Sequence, residues 1–336
     1  MEYRNFGRTG MRVSPLCMGC MYFGAKTPEV EANAIFDACI EAGINFFDTA
    51  NVYNRGTSEE VLGRILAKRG RREKLVIATK VHGRMDDDDP NAAGNHRRHI
   101  IEQCNASLAR LQTDYIDLYQ IHRPDSQVPI DETLRALDDL VRSGKVRYIG
   151  TSTYAAWQSV EALWASKELG LNRFVSEQPP YNLADRRIER ELLPMARTYG
   201  YGIIPWSPLA GGLLTGKYGR DKQPPEGARY ADASKSNAAK RVTERLFDAL
   251  EGIESIAKAK EISMSQLALA WVMDQPGVTS PIIGSRTIDQ LKDNLKALDV
   301  AITEEDRSAI DEIVPPGTAV SDFYSADWGP HRHRVI

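Results

Sequence analysis

Residues 44 to 63 read INFFDTANVYNRGTSEEVLG, and the fold turns on how this stretch is read. A short apolar run ends in a carboxylate at Asp48, and Tyr53 follows in the next loop. A helical segment then opens with Ser58 as its expected cap, carries Glu59 and Glu60 in its first turn and stops at Gly70. The order strand, loop, helix recurs along the whole chain. Seven further runs of strand character are PLCMG from Pro15, KLVIATK from Lys74, YIDLYQIH from Tyr115, VRYIGTS from Val146, RFVSEQ from Arg173, GIIPWS from Gly202 and SPIIGS from Ser280. Amphipathic segments of helical length separate them, including EVEANAIFDACIEAG and stretches near 97–111, 131–143, 156–168 and 186–198.

Eight strands alternating with helices, with no compositional break, predict a single (β/α)8 barrel domain over residues 1–336. A barrel needs only about 250 residues. The excess falls in a Gly/Pro/Lys-rich stretch from Ser207 to about Asn237, an extra helix near 241–261 and a tail after Pro315. The opening YRNFGRTGMRVSP has a turn signal between two β-like pieces and predicts a hairpin at the bottom of the barrel.

With 336 residues, 42% of them hydrophobic, the chain can bury a large core. Lys and Arg number 43 against 46 Asp and Glu, a formal charge of −3, so no basic field for nucleic acid is present. No apolar stretch approaches the roughly 20 residues of a membrane span, and the start lacks a signal-peptide h-region. The expectation is a cytoplasmic protein without nucleic-acid or membrane partners. Cys17, Cys20, Cys39 and Cys104 read as reduced, buried thiols. The MDDDDP run from Met85 reads as a solvated loop, and no His/Cys/carboxylate group has metal-ligand spacing.

A barrel gathers the C-terminal ends of its strands on one rim. Asp48 ends the second run, Lys80 the third and His122 the fourth, with Tyr53 just past Asp48. Each residue alone is compatible with a structural role, yet together they make a constellation. A buried Asp and Lys neutralise each other, a lysine beside a phenol favours its ionised form, and a histidine can orient a substrate oxygen. Such a set suits protonating an oxygen that is gaining negative charge. No Gly-x-Gly-x-x-Gly follows a strand. AGGLLTGKY has P-loop spacing from Gly211 to Lys217, but Tyr218 replaces the Ser or Thr that would ligate magnesium.

The segments FDTANVYNRGTSEEVLG, VIATK, DLYQIHRPD, GKVRYIGTS, SEQPPYN, PWSPLAGGLLTGKY and IIGSR, in this order, resemble the aldo-keto reductase superfamily from end to end. SPLAGGLLTGKY is similar to the bacterial reductases related to voltage-gated potassium channel β subunits. The resemblance implies an NADPH/NADP+-dependent reductase of small aldehydes or ketones, with Asp48, Tyr53, Lys80 and His122 as the family tetrad and Tyr53 as general acid. It further implies that Ser152 and Gln178 hold the nicotinamide carboxamide and that Trp206 stacks on its ring. Ser207, Leu209, Gly211 and Lys217 would cover the pyrophosphate. Gly284, Ser285, Arg286, Gln290 and Asn294 would take the adenosine end, with Arg286 on the 2′-phosphate. Thr153 stands where many relatives have Asn. Trp328 in the tail is a candidate pocket wall, and Tyr22, Phe23 and Tyr181, which follow strand ends, are candidates for either pocket walls or rim packing. Two alternatives share these residues: a slow-turnover NADP-binding regulatory subunit, and a sugar or polyol dehydrogenase running oxidatively.

Overall fold

The computed structural model describes residues 1–231 and 241–324; Trp328 lies outside them. A two-residue hairpin pair, β1 (Arg4–Asn5) and β2 (Arg12–Val13), precedes eight parallel strands. These are β3 (Cys17–Gly19), β4 (Phe46–Asp48), β5 (Val76–Val81), β6 (Ile116–Ile121), β7 (Val146–Ser152), β8 (Phe174–Gln178), β9 (Gly202–Ile203) and β10 (Ile282–Ile283). They pair in chain order, and β10 returns to pair with β3. At the remaining seam Ile282 N–H donates to Pro205 O at 2.8 Å and Thr279 N–H to Ile203 O at 2.8 Å. The result is the expected (β/α)8 barrel.

Helices α1 (Glu29–Glu41), α2 (Thr57–Arg69), α3 (Arg97–Leu111), α4 (Ile130–Arg142), α5 (Ala156–Leu169) and α6 (Leu192–Tyr199) follow β3 to β8 in turn. α7 (Glu244–Ala259) and α8 (Met264–Asp274) lie between β9 and β10, and α9 (Ile288–Leu295) and α10 (Glu304–Ile313) follow the last strand. Apolar side chains divide into two cores. One fills the space between strands and helices, while the other lies inside the barrel, where Phe6 and Val13 of the hairpin region join Cys17, Phe46 and Leu118. Phe6 meets Phe46 edge-on with centroids 5.7 Å apart, so the hairpin carries a plug into the barrel floor. Truncating a buried ring of this kind typically costs about 3–5 kcal/mol.

Two local expectations change. The helix predicted over 186–198 is split into a 3-10 turn, Arg187–Glu189, and α6 from Leu192. A helix running through would place Pro194 in its interior, where proline lacks the required N–H, whereas a start at Leu192 places it in the first turn. Ser58 does not cap α2. Gly56, at φ 96°, is the residue before the helix, and Ser58 is buried, with its hydroxyl donating to Cys20 O at 2.7 Å. The four cysteines are free and buried, and burial raises each thiol, Cys39 and Cys104 to about 12. No helix among the described residues is long and apolar enough to cross a membrane.

Candidate active site

Alternation along each strand aims every second side chain into the barrel. Asp48 at the end of β4, Lys80 in β5 and Gln120 in β6 are therefore brought together near the rim, in neighbouring registers. Gly150 of β7 lies opposite Gln120, and a Cβ there would come within 2.4 Å of Ser176 Oγ and 3.3 Å of the Gln120 side chain. Any larger residue would have to displace the Ser176 hydroxyl and would press on Gln120.

Lys80 is fully buried. Its ammonium donates to Asp48 Oδ1, to Thr49 O at 2.8 Å and to Tyr53 OH at 3.3 Å. Three acceptors satisfy three N–H bonds. Burial alone would lower the Lys80 pKa, but Asp48 and Tyr53 outweigh it and hold the amine above its usual 10.5. Asp48 Oδ2 accepts from Gln120 Nε2 and Gln178 Nε2, each at 3.0 Å. Because Lys80 is the donor to Tyr53, the phenol hydrogen is left for an acceptor in the mouth. His122, just past β6, meets the Tyr53 ring edge-on at 5.6 Å. Burial, then the charges of Arg123, Lys80 and His82, push the imidazole well below 6.5, so it is neutral at physiological pH.

The structure thus brings Asp48, Tyr53, Lys80 and His122 into one cluster. Ser152 ends β7, its hydroxyl donating to Gln178 O at 2.9 Å. Gln178 is turned inward, its Nε2 spent on Asp48 and Gln120. Trp206 lies beyond β9, half-buried, with Phe323 edge-on at 6.5 Å. Tyr22 keeps partial exposure beside the rim. Phe23 and Tyr181 are fully buried and belong to the outer core; the Tyr181 hydroxyl donates to Glu189 at 2.7 Å and its ring packs on Trp271.

The loop after β9 turns sharply: Ser207, Ala210, Gly211 and Gly212 have φ of 54°, 50°, 65° and 104°. A Cβ on Gly211 would meet Tyr230 OH at 2.6 Å, so close packing as well as the turn requires glycine there. Ser207 O accepts from Asn182 Nδ2 at 3.1 Å, and Leu209 supplies the O that receives Gly212 N–H at 2.8 Å. Lys217 approaches this turn, and burial together with the charges of Arg286 and Arg229 lowers its pKa. Arg229 donates to Tyr22 OH, while the Arg286 guanidinium lies 5.9 Å from the same ring. Three cations therefore converge on one edge of the mouth, as an anionic ligand requires.

After Gly284, Ser285 and Arg286, the cap residue Thr287 opens α9, and Asn294 Nδ2 donates to Ser285 Oγ at 3.0 Å. Gln290 Oε1 accepts from Arg286 N–H at 2.9 Å and so braces that turn. The MDDDDP loop is held by Arg55 on Asp87 and Arg98 on Asp89. Among the described residues no group of His, Cys, Asp and Glu side chains could hold a metal ion.

Four residues of this region escape a reading of strand ends: Gln120, Arg123, Glu177 and Arg229. Gln120 in YIDLYQIH and Glu177 in RFVSEQ carry a signal, polarity inside an apolar run, while Arg123 and Arg229 lie in loops and carry none. Burial drives the Glu177 carboxyl up to about 8, against hydrogen bonds from Thr151 and backbone N–H groups that pull it down. The folded protein then binds more protons than the unfolded chain between about pH 4.5 and 8, so this group makes stability fall as pH rises through that window. Glu177→Gln should flatten the slope, read as urea midpoints at about pH 5 and pH 8. An unchanged slope would contradict the burial of an ionisable group here.

A sequence model of the Aldo/keto reductase family matches residues 15–315. The chain is 42% identical to the uncharacterized oxidoreductase YrpG of Bacillus subtilis, over 97% of this chain and 100% of that one. It is 41% identical to a probable voltage-gated potassium channel subunit beta of Oryza sativa subsp. japonica, over 89% and 92% of the two chains. It is 34% identical to the versiconal hemiacetal acetate reductase of Aspergillus parasiticus, over 94% and 98%.

Proposed function

We propose, since the chain belongs to the aldo/keto reductase family, that it is a cytoplasmic enzyme reducing small aldehydes or ketones to alcohols with NADPH, Tyr53 serving as general acid. The observation that carries this reading is the Lys80 ammonium donating to Tyr53 OH beside a neutral His122. Bound NADPH would supply the hydride.

The chain's own groups account for the rest. His122 donates a hydrogen bond to the carbonyl oxygen and fixes its orientation. As negative charge builds on that oxygen, Tyr53 passes it the phenol proton, and the Lys80 ammonium stabilises the resulting phenolate. Asp48 keeps Lys80 charged and in place, and Gln120 and Gln178 hold Asp48. The converging cations and the glycine turn fit a dinucleotide. Lys217 and Arg229 would meet the pyrophosphate, with Ser207, Leu209 and Gly211 forming the turn around it. Ser152 and the Gln178 Oε1 would meet the carboxamide, and Trp206 the ring face. Ser285 and Arg286 would meet the 2′-phosphate, and Asn294 the adenine.

The test of this reading is a panel of aldehydes and ketones with NADPH, consumption being followed by absorbance. Carbonyl-dependent oxidation supports it. NADPH binding without turnover of any carbonyl favours a regulatory subunit instead; the rice relative is described as a probable voltage-gated potassium channel subunit beta.

Arg286 should set the choice between cofactors. A charge-assisted contact to the 2′-phosphate is worth about 1.5–3 kcal/mol, or roughly 10-fold to 150-fold in affinity. The first N–H of α9, at Ile288, already donates to Glu31 at 2.6 Å, which leaves the guanidinium as the principal group for that phosphate. Arg286→Ala should weaken NADPH by that factor and leave NADH nearly unchanged, as measured by fluorescence titration. Equal weakening of both would assign Arg286 to shaping the loop.

A further inference from the structure

Thr153 is fully buried and has φ +63°. A β-branched residue in the left-handed region is a conformational outlier, because its Cβ substituents crowd the neighbouring carbonyl. Such strain persists only where surrounding groups over-determine it. Here they are specific. Arg123, in the loop after β6, donates to Thr153 Oγ1 at 3.1 Å, to Ser152 Oγ at 3.4 Å and to His122 O. On the other side Glu177 Oε1 accepts the N–H of Tyr154 at 3.0 Å, and Thr151 Oγ1 donates to Glu177 Oε2. Thr153 N–H itself donates to Gln178 O at 3.2 Å. The bent segment from Thr151 to Tyr154 is therefore gripped from β6 by a guanidinium and from β8 by a buried carboxyl. Arg123 also touches the Lys80 cluster, through His122 O, whereas Glu177 makes its hydrogen bonds to the bent segment.

We propose that Arg123 and Glu177 are positioning residues that hold Thr153 in its left-handed conformation, and so fix the Ser152 and Thr153 hydroxyls at the rim where a nicotinamide carboxamide is received. The ligand half of this statement rests on the NADPH reading above. The conformational half concerns the free protein and is tested there. Asparagine enters the left-handed region far more readily than threonine. An Asn at position 153 should then keep the turn without help from Arg123.

The experiment compares wild type, Arg123→Met, Thr153→Asn and the double variant by two readouts. One is hydrogen exchange of the Tyr154 amide in ligand-free protein; the other is NADPH affinity by fluorescence titration. Arg123→Met should speed exchange at Tyr154 and weaken NADPH by about 10-fold or more each, the scale of a lost hydrogen bond from a charged group. The double variant should recover most of both losses, a non-additivity that a general loss of packing would not produce. Unchanged exchange in Arg123→Met, or a double variant as impaired as the single, overturns the proposal. If Arg123→Met does not fold, Arg123→Lys carries the same comparison, because it keeps the charge but loses the planar guanidinium whose Nη1 reaches His122 O, Ser152 Oγ and Thr153 Oγ1. A wild type that binds no NADPH would overturn the cofactor reading, and with it the ligand half of the proposal, while amide exchange still decides the conformational half.

Discussion

Tyr53→Phe should lose roughly 100-fold or more in kcat, the scale of a missing general acid, while binding NADPH as tightly as wild type. The hydroxyl is the only group removed, and the ring keeps its edge contact with His122. Lys80 retains two of its three acceptors, Asp48 and Thr49 O. The fold should therefore be unaffected. Steady-state kinetics on the best carbonyl, paired with cofactor titration, separates the outcomes. A near wild-type kcat would remove Tyr53 from the chemistry, and an equal loss of cofactor affinity would show that the phenol shapes the binding site.

Lys80→Met should be costly in a second way. It leaves Asp48 buried with two amide donors and no cation. Breaking a buried ion pair from one side typically costs about 3–5 kcal/mol, because the remaining charge is stranded. Urea unfolding reads that loss directly. Adding Asp48→Asn removes the stranded charge and should restore most of the stability, but activity should stay low because nothing then stabilises the Tyr53 phenolate. Should Lys80→Met cost less than about 1 kcal/mol, the pair is better solvated than its burial indicates.

Much of this arrangement can be read from the chain alone because strand ends carry it. Asp48, Lys80 and His122 close three successive apolar runs, and parallel strands in a barrel must deliver those ends to one rim. The side chains that complete the site are harder to see, since their partners lie on other elements. Gln120 and Glu177 are internal to their runs, and Arg123 and Arg229 acquire meaning only when Ser152, Thr153 and Tyr22 are placed beside them. Phe23 and Tyr181 are the opposite case. Both follow strand ends, but proximity in sequence does not decide which way a ring faces, and Tyr181 turns back to Glu189 and Trp271. Strand lengths at the seam also differ from the apolar runs. GIIPWS supplies only Gly202–Ile203 to the ladder, as Pro205 has no N–H to donate.

Carbonyl reduction by this site couples two products to one event, and measuring both is the direct test. Purified protein is mixed with NADPH and an aromatic aldehyde, and the loss of NADPH is followed together with the appearance of the alcohol. Wild-type protein should form one alcohol for each NADPH consumed, and Tyr53→Phe should show almost none of either change. NADPH that stays intact across a broad carbonyl panel, or is consumed without alcohol appearing, would contradict carbonyl reduction by this site.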